Sequence, residues 1–514
     1  MLRPSLLLSI ILLLGVCAAC TGTPTPSASG QPGNTAMVLS DPTEPTSLDP
    51  LAGYASDGSA KIFQGLLEHQ ADGTLAPVLA KALPVPSADG RSWTISVATG
   101  PKFSDGTPFG VPDVLATYRA LLDPVVNSPL RAEYSMLTSV DQVNASTVRF
   151  NLAYPYAPFP QLLVLGILPA VALATPVPVS QSPVNTKPVG TGPYLLSSWS
   201  KGQDMVLAAN PKYTPVPKIK KVTVVFDGSD TDRAAQLRAG KLDGAAVSPA
   251  QAATFAKSDA FTVLVDPAAD LRAITLPSTG VAADPAVRLA LNEAVDRSTL
   301  VKGALAGDAL AASTPMPSVL PEFVETSATF DYDPTKAASA LQAAGWVAQD
   351  DGVRARSGQP AALTLDYPTG DSVDEALAKA FVADAAVVGV AVTTAPVPPD
   401  QLAAKQATDA TLISTGNPFD PDLSLYPLLG ASPDPAVADP LNAGRHTLDP
   451  GQRSVDYRQF QRAYIANPSL VCLVFVDHEY VMRDDWTGYQ QVVDGSTEDV
   501  TWGPWWNLDQ WIPR

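Results

Sequence analysis

Histidine and cysteine are nearly missing from this chain, with three of each in 514 residues. Two of the cysteines, Cys17 and Cys20, fall at the extreme N-terminus, so the rest of the protein holds Cys472 alone and a disulfide scaffold is excluded. The histidines His69, His446 and His478 have no useful neighbours in sequence. His478-Glu479 begins like a zinc-protease helix, but the second histidine four residues on is absent, and the pair follows an apolar run typical of a strand. No metal ligand set is expected. Other catalytic signatures are equally thin. Ser198 and Lys201 match S-x-x-K spacing, yet no Lys-Thr-Gly follows and a strand would put the two side chains on opposite faces. Gly190-Thr191-Gly192 meets Pro193, which removes an amide donor, and neither a third glycine nor a lysine follows at phosphate-loop spacing, so it reads as a turn into a strand. Carboxylates are too plentiful for their number to single out a glycosidase pair. The chain is therefore expected not to be an enzyme and to need no cofactor.

Basic residues are also in short supply. Lys and Arg number 33 against 51 Asp and Glu, a net charge of −18 spread along the chain rather than gathered in a tail, which argues against nucleic acid as a partner. No internal repeat is present, and no second long apolar run follows the first.

That first run is informative. Arg3, the apolar residues 6–16 and Ala18-Ala19 stand in the order of an export signal immediately before Cys20. Eleven residues span about 16 Å as a helix, too little for a hydrocarbon core of about 30 Å, so the run is cleaved rather than kept. Residues 1–19 read as the signal peptide and Cys20 as an acylated N-terminus holding the chain to the extracytoplasmic face of a membrane, although Cys17 stands where the bacterial lipobox usually has Leu. Residues 21–36 hold no charge and no large apolar side chain; with Cys20 they form a flexible tether over 20–36.

Roughly 480 residues remain, beyond the size at which one core stops growing, so two or more lobes are expected. Early on, Trp93, Ile95 and Val97 alternate after the Asp89-Gly90 turn, a second turn stands at Asp105-Gly106, and Val148, Phe150 and Leu152 alternate behind Asn144. Between them Pro112 opens a helix with Val114, Leu115, Tyr118, Leu121 and Leu122 on one face. From about residue 218 the pattern becomes α/β. A strand carries Val222, Val224 and Phe226, and a helix over residues 234–238 stops at Gly240. Asp284-Pro285 and Asp333-Pro334 are helix starts, with Gly307 and Gly345 at the stops. Val373, Ala376, Leu377, Ala380 and Phe381 mark a helix closed at Gly389, before a strand at Val390 and Val392. A helix over residues 453–466 leads into the apolar residues 470–476, typical of a strand buried on both faces.

The order of short motifs resembles the family 5 extracellular solute-binding proteins, subunits of oligopeptide, dipeptide and nickel ABC importers. Carrying the resemblance are Thr46-Ser47-Leu48-Asp49-Pro50, Gln64-Gly65-Leu66-Leu67, Pro77-Val78-Leu79-Ala80, Asp89-Gly90-Arg91-Ser92-Trp93-Thr94 and Phe103-Ser104-Asp105-Gly106-Thr107-Pro108. Further on come Val189-Gly190-Thr191-Gly192-Pro193-Tyr194, Leu237-Arg238-Ala239-Gly240-Lys241-Leu242-Asp243, Ala294-Val295-Asp296-Arg297 and Ala343-Ala344-Gly345-Trp346. The resemblance implies an α/β, two-lobed periplasmic-binding-protein type II fold with an extra α+β domain. Lobe I would take residues 37–52, 187–273 and 474–514, the extra domain 53–186, and lobe II 274–473. It implies a monomer that buries a small peptide or peptide-like ligand between its lobes and delivers it to permease and ATPase subunits. Alternative occupants are a nickel chelate, a sugar or a haem, with His446 the histidine in a cleft loop; the contrasting class is a regulatory or scaffold lipoprotein of the envelope.

One departure matters. Peptide-binding members resemble W-x-x-D-Y-x-D-P where this chain has Ser414 for the Trp and Asn417 for the Asp that pairs with the peptide ammonium, although Asp420-Pro421 is kept. Losing that charge-assisted pair costs roughly 1–2 kcal/mol, and a shifted alignment gives the role to Asp420 or Asp422. The resemblance thus offers Asn417, Phe419 and Asp420, with Thr46, Tyr54, Tyr367 and Thr369, as residues bordering the ligand. Trp502, Trp505, Trp506 and Trp511 read as a tail packed over a hinge strand.

Overall fold

The structure, a computed structural model, describes residues 35–58, 61–496 and 502–514. The signal peptide and Cys20 lie outside the described residues, as does the tether up to residue 34. Ala36, expected at the tether's end, is already the first residue of a strand and pairs with Lys221.

An eleven-stranded mixed sheet runs through the described chain. At its centre lie two long antiparallel strands, Phe261–Thr275 and Leu470–Arg483. Gly244–Val247, Ala36–Asp41, Lys221–Phe226, Asp204–Ala209 and Tyr194–Ser200 follow outward on one side. On the other side come Ala410–Thr415, Ala362–Pro368 and Ala391–Val397, with Ala309–Ala311 pairing on Leu470–Arg483. Residues 53–186 add a separate four-stranded sheet with the helix Val111–Leu122.

The long strands explain the apolar run at 470–476. Val471, Leu473 and Val476 face a core that also holds Leu365, Phe381 and Leu291, while Leu470, Cys472 and Phe475 face one built on Tyr457, Phe460 and Leu271. A strand covered on both faces has no use for a polar alternation. The backbone does not stop where that run ends: Asp477, His478 and Glu479 continue the same strand to Arg483. Pairing slips between Asp266 and Asp270, and the segment at Asp494 fills the gap, with Ala269 N–H donating to Asp494 O at 2.9 Å. Gly416 closes over this crossing with φ 145°, and a Cβ there would stand 1.8 Å from the Ala269 carbonyl oxygen, so only glycine fits.

The side of the sheet ending in Tyr194–Ser200 shares one continuous core with the extra unit, in which Met37, Leu207 and Val222 join Trp93, Phe150 and Tyr118. Local signals for helix starts hold in detail: Asp284 accepts from Ala286 N–H at 2.9 Å and Asp333 from Lys336 N–H at 2.8 Å, each before a proline. The tryptophan tail packs on the far half of Leu470–Arg483, where Trp505 Nε1 donates to Tyr480 Oη at 2.9 Å. Among the described residues no helix is long and apolar enough to cross a membrane.

Candidate functional site

A cavity of about 570 Å³ lies between the extra unit and the segment that follows Ala410–Thr415. It falls within the ~300–1,000 Å³ range of pockets that bury small ligands. Leu130, Glu133, Tyr134, Tyr154, Tyr156 and Leu162 line one wall, and Asn417, Phe419, Asp422, Tyr426 and Arg445 the other.

The second wall is held by turn chemistry. Asn417 Oδ1 accepts from Phe419 N–H at 2.9 Å, while Asn417 N–H donates to Ser424 Oγ at 2.7 Å and that hydroxyl donates back to Asn417 O at 2.9 Å. Asp420 then caps the helix Pro421–Leu429 by accepting from Asp422 N–H at 2.9 Å. Asp422 and Tyr426, one helical turn apart, consequently face the cavity together.

Three hydrogen bonds join the walls. Tyr156 Oη donates to Asp422 Oδ2 at 2.7 Å, Ala157 N–H to Arg445 O at 2.9 Å, and Gln161 Nε2 to Phe419 O at 3.1 Å. Phe419 also lies flat on His69, with ring centroids 3.3 Å apart, and edge-on to Trp502. Burial pushes His69 down to about 4, so its imidazole is neutral; its ring nitrogens contact Asp57 O and Gln161 Oε1, each at 2.9 Å. Burial pushes Asp422 up to about 6, against the pull of Arg445, whose Nε stands 3.2 Å from Oδ1. The same guanidinium lies 3.3 Å from the Tyr426 ring centroid. Burial and the neighbouring Asp422 hold the Tyr156 hydroxyl well above its ordinary value.

Of the residues singled out in the sequence, Asn417 and Phe419 line the cavity, as does Asp422, which the shifted alignment offered; Thr46, Tyr54, Tyr367, Thr369 and Asp420 do not. Asp420 sits behind the wall, spent on the helix cap and on Arg453 Nη2 at 2.8 Å. Tyr54 is packed into the first core, and Tyr367 is half-buried against the second. Thr46 is exposed, its carbonyl accepting from Lys201 Nζ at 3.3 Å, and Thr369 is exposed at the end of a strand, its N–H donating to Val397 O. His446 stands outside the wall, edge-on to Tyr154 at 5.2 Å; His69, read as isolated in sequence, is the histidine that lines the cavity. Gly190-Thr191-Gly192 packs on the backbone at Lys61 and Ile62: Gly192 N–H donates to Ile62 O at 3.0 Å, and a Cβ on Gly190 would stand 2.0 Å from that oxygen. Glu133, Tyr154, Tyr156, Tyr426 and Arg445 carried no sequence signal, since they come from segments nearly 300 residues apart with ordinary local patterns. Among the described residues no group of three or more His, Cys, Asp or Glu could hold a metal ion.

Residues 74–435 match the family model described as bacterial extracellular solute-binding proteins, family 5. Protein XP55 of Streptomyces lividans is 39% identical over 479 residues, which is 90% of this chain and 88% of that protein. The glutathione-binding protein GsiB of Shigella boydii is 32% identical over 313 residues, 59% of this chain and 60% of that one. The crystal structure of NikZ from Campylobacter jejuni in complex with Ni(L-His) superposes with a TM-score of 0.84 at 26% identity, covering 94% of this chain and all of that one. Both the two-lobed architecture and the motif order agree with these matches, and the chain belongs to the family 5 bacterial extracellular solute-binding proteins.

Proposed function

We propose that the protein captures short peptides or peptide-like solutes in the cavity between residues 53–186 and the 417–427 wall, and hands them to an ABC permease with its ATPases while anchored through Cys20. The observation that carries this is the way the walls meet. They belong to distant parts of the chain and close on each other through Tyr156–Asp422, Gln161–Phe419 and Ala157–Arg445. A solute touching both walls favours that arrangement over the open one, and the permease has a closed shape to read. The lining suits a peptide: the Asn417 amide and the Asp422–Arg445 pair offer polar contacts, and tyrosine rings offer apolar surface with a polar tip. A relative named for glutathione binding is of the same kind.

The test is native mass spectrometry and thermal unfolding of residues 21–514 with di- to pentapeptides, set beside sugars, a nickel–histidine complex and haem. At one hundred times Kd a bound peptide is expected to stabilise the protein by about 2.7 kcal/mol. Stabilisation by the nickel complex, a sugar or haem with none by any peptide would overturn the reading.

A further inference from the structure

The charges that line the cavity do not balance. Asp57, Glu133, Asp422 and Arg445 are the charged residues there, His69 being neutral through burial. Asp422 is answered from within: Arg445 Nε lies 3.2 Å from one oxygen, and Tyr156 Oη donates to the other at 2.7 Å. Arg445 is thereby used as well. Asp57 has contacts of its own. For the Glu133 carboxylate the described residues supply no cation and no donor. Burial alone acts on it and raises its carboxyl above the ordinary value. Glu133 is exposed and lines the cavity.

The backbone that carries this side chain is held in place beside the cavity. It follows the 3-10 helix Pro129–Ala132, whose cap Ser128 accepts from Leu130 N–H at 3.2 Å, and its own N–H donates to Leu130 O at 2.9 Å. The next residue, Tyr134, is buried and donates to Leu162 O at 2.7 Å. A carboxylate on so fixed a stem, lining the cavity and without a partner among the described residues, gains from a cation brought to it.

We infer that the solute carries an amine or guanidinium cation in addition to any peptide terminus, and that Glu133 is the residue that selects it; this rests on the cavity being the solute site. Tyrosine rings along the same cavity provide faces over which such a cation is attracted. Acidic solutes are disfavoured by the same lining, and the net charge of −18 works in the same direction at long range.

Isothermal titration of residues 21–514 and of Glu133→Gln with Ala-Lys, Ala-Arg, Ala-Gln, Ala-Leu and Ala-Glu separates the possibilities, with spermidine and agmatine as non-peptide cations. The basic dipeptides should bind wild type roughly ten- to a hundred-fold tighter than the neutral ones, the worth of one charge-assisted contact. Glu133→Gln should erase that margin, so that basic and neutral dipeptides bind alike, and Glu133→Asp should restore part of it. Equal binding of basic, neutral and acidic dipeptides, or a margin that survives in Glu133→Gln, overturns the inference and leaves peptide capture standing. Binding of spermidine or agmatine that is lost in Glu133→Gln, with no dipeptide bound, supports the inference and removes the peptide reading. No binding by either set overturns both. The unfolding midpoint of ligand-free Glu133→Gln should be no lower than that of wild type, since Gln fills the same space and no partner is lost.

Discussion

Where the two long strands cross, the Asp270 carboxylate takes hydrogen bonds from Arg272 at 2.8 Å and Ser414 at 2.6 Å and lies 3.3 Å from His478, whereas at the cavity the Glu133 carboxylate takes none from the described residues. The crossing goes further. Arg272 also reaches Asp371 and Asp374 at 2.7 and 2.8 Å, and His478 meets Asp494 at 2.8 Å. Every one of these groups finds its partner on a neighbouring strand or loop, and the result is a fixed pivot. Charges buried with their partners hold a structure in register, while a charge partly buried without one costs free energy until something arrives. A carboxylate therefore reads as architecture in one place and, on the inference above, as recognition in the other.

Three experiments bear on that contrast. The largest effect is expected at the pivot. Arg272→Met leaves Asp270, Asp371 and Asp374 together without their cation and should cost about 3–5 kcal/mol in urea unfolding; a loss under about 1 kcal/mol would mean the pivot does not depend on this ion. The pH profile comes next. Burial pushes Asp266 up to about 7 and, with Asp308 and Asp477 nearby, Glu479 up to about 8. Burial pulls His478 down, but Asp494 and Asp270 win and hold it well above its ordinary value. In the folded chain all three keep protons that the unfolded chain releases. The carboxyl contributions are complete below about pH 4 and fade as pH rises through about 7 and 8, and the histidine contribution fades in the same direction. The melting temperature should fall from about pH 5 to about pH 8, and Asp266→Asn should flatten the fall; a profile rising with pH would contradict the assignment. The smallest effect lies at the cavity, where Tyr156→Phe removes one donor from Asp422 and one bond between the walls. It should cost about 1 kcal/mol and push Asp422 further up, read by urea unfolding at two pH values. A loss as large as that of Arg272→Met would erase the contrast.

Much of the framework was legible because it rests on local chemistry. Asp284 and Asp333 before proline named their helix starts, and the apolar run at 470–476 named a doubly covered strand. The strand Phe261–Thr275 was missed, since Asp266, Asp270 and Arg272 break any apolar period while being satisfied by partners more than 90 residues away. For the same reason Asp477-His478-Glu479 looked like the end of a strand and is its middle. At the cavity, Asn417 and Phe419 were found through a motif, and the motif also pointed to Asp420, which the helix cap and Arg453 had already engaged. Glu133 and Arg445 were beyond reach of sequence because their significance is what stands, or fails to stand, beside them in space.

The core shared by the extra unit and the outer half of the sheet sets the kind of motion available to the molecule. Residues 53–186 stand between Ala36–Asp41 and Lys221–Phe226 in sequence, yet Trp93 and Phe150 are packed in one piece with Met37 and Val222. On the proposed function the cavity would work like a jaw with a single joint: one side carries Glu133, the other Asp422 and Arg445, and a bite on a solute would be felt at the crossing strands.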